Sequence, residues 1–284
     1  MATVVGKSGM NSTGTFTFYA THPEIDESGA FNKACDRKEQ GTAILGCYSN
    51  DRIYIYNVTD PRLNGIREVT AAHEMLHAAY QRLSDDERKQ VDSLVEAEYQ
   101  KLSANPDFAD RMAFYARNEP GERDNELHSI IGTEVSNVSP ALERHYAKYF
   151  ANRQQLLTLF AGYNSVFTEI DNQAKQLSAQ LDALSSKIDT GMAAYDTAVK
   201  SLNDAITDFN QRASSPGSFA SQAAFERERQ SLERRVTTVS AQRAVISADV
   251  ERYEQLRTQY NETVTASNNL YKSIDSSLAP APSV

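Results

Sequence analysis

From Leu156 onward the apolar positions recur in alternating steps of four and three, through Phe160, Tyr163, Phe167, Ile170, Ala174, Leu177, Leu181, Leu184 and Ile188. The pattern resumes after Gly191 with Tyr195, Leu202 and Phe209. A second series follows the Ser-Ser-Pro-Gly-Ser break at 214–218. It runs Leu232, Val236, Val239, Ile246, Val250, Tyr253, Tyr260, Val264, Tyr271, Ile274 and Leu278. A sustained seven-residue repeat winds helices into a left-handed coiled coil. Two arms joined at Pro216-Gly217 predict an antiparallel α-helical hairpin over 141–278, each arm about 90 Å long at 1.5 Å per residue. Ser139-Pro140 is a helix start signal, with proline at the first helical position. Arg243 and Arg257 are expected to interrupt the second seam, and the tail APAPSV (279–284) to be disordered.

Before residue 141 the texture changes. Thr15–Ala20 (TFTFYA) alternates like a strand. Ala43–Tyr48 and Arg52–Val58 flank the turn Ser49-Asn50-Asp51, a β-hairpin signal. Helices are expected from Asn64-Gly65 to about Leu83, over about Phe108–Arg117 and over about Asp124–Val135. Ser84 and Glu87 form a capping box that opens another helix, running to about Leu102. The prediction is an α+β domain over 12–140, followed by the coiled-coil hairpin.

Charge changes this picture little. The chain has 284 residues and a formal net charge of −9. Neither half carries a basic field, so nucleic acid is not an expected partner. No run approaches the ~18 apolar residues of a membrane span. Residues 1–12 lack the apolar run of a signal peptide, so an export signal or anchor is expected to be absent or removed. The two cysteines, Cys35 and Cys47, would close a short polar loop as a disulfide, stabilising by roughly 3 kcal/mol in the loop-entropy model. That favours an extracytoplasmic protein, secreted or surface-anchored.

The chemistry concentrates in His73-Glu74-Met75-Leu76-His77. A spacing of four puts both imidazoles on one helical face, able to reach one Zn²⁺. Glu74 would then stand beside the zinc-bound water and take its proton as general base. A histidine six residues beyond His77 would mark the metzincin type, but Leu83 stands there and Tyr80 replaces the glycine. Candidates for a third ligand lie in RDNELHSIIGTEV: Glu126, His128 and Glu134. Glu126 is taken first. It lies about 200° from His128 around a helix, so the two cannot both face the metal. Glu134 is a candidate for hydrogen-bonding a ligand histidine, and His128 for the same surroundings. Tyr115, His128, His145 and Tyr146 are candidate donors to a polarised carbonyl, Tyr115 and Tyr146 foremost.

His73–His77 with a glutamate on a later helix resembles the gluzincin branch of the zincin metallopeptidases. Asn125-Glu126 resembles the Asn-Glu pair that opens the ligand helix in thermolysin-type enzymes. The run Glu126–Glu134 resembles the lethal-factor and Mlc-titration-factor peptidases, with Ser129 and Glu134 as counterparts of a small residue and a later acid. The resemblance covers about residues 50–140. It implies a zincin fold, a Zn²⁺ cofactor and a protein or peptide substrate, with Arg52–Val58 as the edge strand above the cleft. The hairpin has no counterpart in those families. It would serve as a spacer, as an arm for a coiled-coil partner or a homodimer, or as a cover for the cleft. The rival reading is a non-catalytic coiled-coil scaffold or adhesion protein with a structural or degenerate zinc domain.

Overall fold

The structure, a computed structural model, describes residues 1–35, 43–118 and 121–277. Contacts divide the chain into two units, Met1–Glu169 with Ser267–Val284, and Ile170–Ala266.

In the first unit, α1 (Ala2–Lys7) and α2 (Ser12–Tyr19) precede β1 (Glu24–Asp26) and α3 (Ser28–Ala34). The hairpin β2 (Gly46–Ser49) and β3 (Arg52–Tyr56) leads to α4 (Ile66–Gln81), α5 (Asp85–Leu102), α6 (Pro106–Asn118), α7 (Arg123–Glu134) and α8 (Pro140–Tyr146). Two long helices complete the chain, α9 (Arg153–Ala213) and α10 (Gln222–Ile274).

The sheet has the order β1-β3-β2, with β1 parallel and β2 antiparallel to β3. Asn50 and Asp51 both take positive φ, 51° and 59°, the geometry of a two-residue type I′ turn, which matches strand twist. Arg52–Val58 was expected at the sheet edge, but β3 is central and β1 and β2 are the edges. The Cys35–Cys47 disulfide is formed and ties the end of α3 to β2.

α4 is buried on nearly all sides, which its sequence permits. Ala71, Ala72, Ala78 and Ala79 let neighbours approach, while Val69, Met75 and Leu76 fill the core. Each such large side chain contributes about 1.5–3 kcal/mol on burial. It packs against α1, α2, α7, β2 and β3. At the crossing with α7, a methyl group on Gly132 would lie 2.4 Å from Leu76 Cδ1 and 2.8 Å from Tyr146 Cε1. Only glycine allows that approach. α5 opens with the expected capping box of Ser84 and Glu87.

Two elements differ from expectation. Residues 15–19 are helical in α2, not a strand, with Ala20 at its C-cap and the Asn11 side chain accepting from Gly14 N. Phe18 is buried and Phe16 is 75 % exposed. A two-residue step reverses faces on a helix as it does on a strand, so so short an alternation does not distinguish them. The first arm does not start at Ser139-Pro140. Those residues open the short α8, and the chain then breaks, with Met10 bridging to Phe150, before α9 begins at Arg153. Arg153 is 5 % exposed and donates to Val135 O at 2.8 Å and Gly132 O at 3.3 Å, closing the end of α7.

In the second unit α9 and α10 run antiparallel. Lys187 pairs with Asp249 at 2.7 Å, Gly191 faces Ile246, and Arg235 donates to Ser201 Oγ at 3.0 Å. The α9 seam keeps the expected register through Leu177, Leu202 and Phe209, all buried. Between Leu232 and Leu256 on α10 the shielded positions are Leu232, Arg235, Val239, Gln242, Ile246, Asp249, Tyr253 and Leu256, and further on Tyr260 and Val264 are half-buried. Val236 and Val250, expected on the seam, are 46 % and 41 % exposed. Tyr271, in the first unit, is also exposed, against expectation, and stacks near Phe167 with ring centroids 5.4 Å apart. Arg243 and Arg257 do not interrupt the seam, because they too lie off it, on the exposed side. Leu278 and the tail 279–284 lie outside the described residues. Among the described residues no helix is long and apolar enough to cross a membrane.

Candidate metal centre

α4 and α7 cross so that three predicted residues meet. His73 Nε2 and His77 Nε2 are 3.0 Å apart. Glu126 Oε1 lies 3.4 Å from His77 Nε2, and Glu126 Oε2 lies 3.6 Å from His73 Nε2. Among the described residues this trio is the one group of histidine, cysteine and acidic side chains placed to hold a metal ion. A tetrahedral ion with bonds of about 2.0–2.1 Å has ligand–ligand edges of about 3.3–3.4 Å, so these spacings fit one ion. Glu126 Oε2 is buried without a hydrogen-bond partner. A buried carboxylate oxygen left so is costly, and a cation between the three groups would satisfy it. Burial works to raise the Glu126 pKa, but His77 and His73 beside it hold the carboxyl below its ordinary value.

Asn125 sets the histidine tautomer. Its Nδ2 donates to Glu122 Oε2 at 2.9 Å, which leaves Oδ1 to accept from His77 Nδ1 at 2.9 Å. With its proton on Nδ1, His77 turns a lone pair on Nε2 toward the trio. Asn125 was legible only as part of an Asn-Glu pair; nothing local in the sequence announced its hydrogen bond.

The trio lies in the wall of a cleft of about 620 Å³. Glu74 lines it too, 5 % exposed, directly after His73. β2 forms the facing rim. A methyl group at Gly46 would lie 2.7 Å from Glu74 Oε1, so the strand backbone rests against this carboxylate. Tyr115, on α6, lines the same cleft. Burial raises its phenol pKa strongly, Glu126 adds to the rise, and Arg111 opposes it. The hydroxyl therefore stays protonated.

Other predicted residues lie elsewhere or act differently. Glu134 lines the cleft but accepts from Arg111 Nη2 at 2.8 Å rather than from a ligand histidine. Arg111 carried no sequence signal beyond being one arginine on an amphipathic helix. His128 is fully buried, and its Nε2 lies 2.9 Å from His145 Nε2. Burial lowers both histidines, His145 to about 4. Tyr146 is fully buried and donates to the His128 carbonyl at 2.8 Å. His128, His145 and Tyr146 thus form packing behind the ligand helix rather than a face of the cleft. Ser129 is buried, with its Oγ unpartnered.

No protein-family model, no curated protein and no solved structure matches this chain.

Proposed function

We propose that the chain is a zinc-dependent endopeptidase of gluzincin type. The observation that carries this reading is the meeting of His73, His77 and Glu126 in the wall of an open cleft, with the Glu74 carboxylate next to the first ligand. Two imidazoles and one carboxylate suit zinc among the common ions. Three protein ligands rather than four are the mark of a catalytic site, since structural sites close with a fourth. Zinc held there would polarise a carbonyl and acidify water.

The remaining work falls to this chain's own residues. Glu74 takes the proton of the attacking water and passes it to the amine nitrogen as the C–N bond breaks. Tyr115, kept protonated, donates a hydrogen bond to the carbonyl oxygen as it gains negative charge. Asn125 holds His77 in its ligating tautomer. An extended peptide lies along the cleft and pairs with the outer edge of β2, which among the described residues has no partner strand. The Cys35–Cys47 disulfide supports an oxidising, extracytoplasmic setting for this activity.

Glu74→Gln tests the reading. The isosteric amide cannot take a proton, so cleavage of an unfolded protein such as casein should fall by about 10²- to 10⁴-fold while zinc content stays at the wild-type level. Cleavage at the wild-type rate by Glu74→Gln would refute the hydrolytic mechanism.

A further inference from the structure

The α9–α10 hairpin of residues 170–266 has an exposed face that its own seam does not use. On α10 the residues Val236, Arg243, Val250 and Arg257 recur every seven, each four positions after a seam residue. All four are exposed, Val236 and Val250 by 46 % and 41 %. On α9 the residues Asp182, Asp189 and Asp196 also recur every seven, each one position after a seam residue, and all are exposed. Met192, 50 % exposed, stands four after the seam residue Ile188. One step turns about 100° from the seam and four steps come round to about 40° in the same sense. Antiparallel helices are related by a two-fold axis normal to their common plane. Equal rotational sense therefore puts both stripes on one face of the hairpin. Of the four large apolar residues exposed between 170 and 266, Met192, Val236 and Val250 share this face, and Val245 does not.

We propose that this face docks a second copy of the same chain. The charges say which partner fits. Gly191 faces Ile246, so Arg243 stands level with Ala194 and Arg257 with Gln180. Each arginine is therefore within two residues of an aspartate on the neighbouring helix, Asp196 and Asp182, a height difference of about 3 Å at 1.5 Å per residue. A two-fold axis parallel to the helices lays the face of one hairpin on the same face of another without shifting heights. α10 of each copy then lies antiparallel to α9 of the other. Arg243 meets Asp196 and Arg257 meets Asp182 of the second copy, and the symmetry repeats both pairs. Val250 and Met192 close the apolar strip between them. The contact is isologous and closes at two chains. Among the described residues, no ion pair engages Arg243, Asp182, Asp189 or Asp196 within the chain. Arg257 is shared with Glu254 of its own helix. Apolar burial supplies the attraction, and the matched charges choose register and partner.

Sedimentation of the full chain tests this. The wild type should sediment as a concentration-dependent dimer. Arg243→Glu with Arg257→Glu, and separately Asp182→Lys with Asp196→Lys, should each weaken the dimer by about tenfold or more. An equal mixture of the two reversed chains should recover the wild-type affinity, since each then meets its complement. Helix content by circular dichroism should match the wild type in both, because every changed side chain is exposed. A monomeric wild type would overturn the proposal. So would a reversed chain that dimerises as tightly as the wild type, or a mixture that stays monomeric.

Discussion

Asn125 is not one of the three groups placed to hold an ion, yet it sets which nitrogen of His77 faces the other two. Its amide fixes the His77 proton on Nδ1 through a 2.9 Å hydrogen bond, and Glu122 fixes the amide. Truncating it frees the imidazole to rotate and to take the other tautomer. Asn125→Ala should therefore weaken zinc binding by about 10- to 100-fold, read by competition with a chelating dye. Asn125→Asp, which still accepts from Nδ1, should recover most of the loss. Equal affinity in wild type and Asn125→Ala would show that the orientation of His77 is set elsewhere. The two histidines and Glu74 were legible because their relation is local, one turn of one helix. Glu126 was legible only as one of three candidates, because its place depends on how α7 crosses α4.

At the scale of elements, that crossing is the feature to test. Gly132 carries no chemistry, but a side chain there would meet Leu76 Cδ1 at 2.4 Å and Tyr146 Cε1 at 2.8 Å. Gly132→Val should destabilise the fold by about 1–3 kcal/mol and lower zinc retention, because α4 and α7, which carry His73, His77 and Glu126, are forced apart. Gly162→Ala is the control. Nothing lies within 4 Å of the added methyl, so the thermal midpoint should hold or rise. The helices α4 to α7 were readable from periodicity and caps. α2 was not, since the short alternation of Thr15–Ala20 fits either period. The α10 seam was read correctly at Leu232, Val239, Ile246 and Tyr253 but misread at Val236 and Val250, for a physical reason as well. Valine occurs both on the seam, at Val239, and off it, at Val236 and Val250, while Arg235, Gln242 and Asp249 occupy seam positions. Apolarity alone adds Val236 and Val250 to the stripe there and misses Arg235, Gln242 and Asp249. Only the strict three-four spacing, set against the partner helix, selects the right one.

Across the whole molecule, stability should depend on pH through His145. Burial holds its folded pKa at about 4, helped by Lys148 and opposed by Glu87, against about 6.5 in an unfolded chain. Between those values the unfolded chain binds a proton that the folded chain refuses. Stability is therefore complete above pH 6.5 and is lost as pH falls toward 4, by about 3 kcal/mol. Urea melts at pH 7 and pH 4.5 should show the loss, and His145→Gln should make it smaller. An unchanged acid loss in that variant would mean His145 is not responsible. The proposed chemistry depends on one trio, His73, His77 and Glu126, gripping one ion. The most direct measurement is the metal content of the purified, dialysed full chain by mass spectrometry, beside Glu126→Ala. One zinc per wild-type chain and a large loss in the variant are expected. A wild type without stoichiometric metal after zinc supplementation, or a Glu126→Ala chain that keeps its full complement, would contradict it.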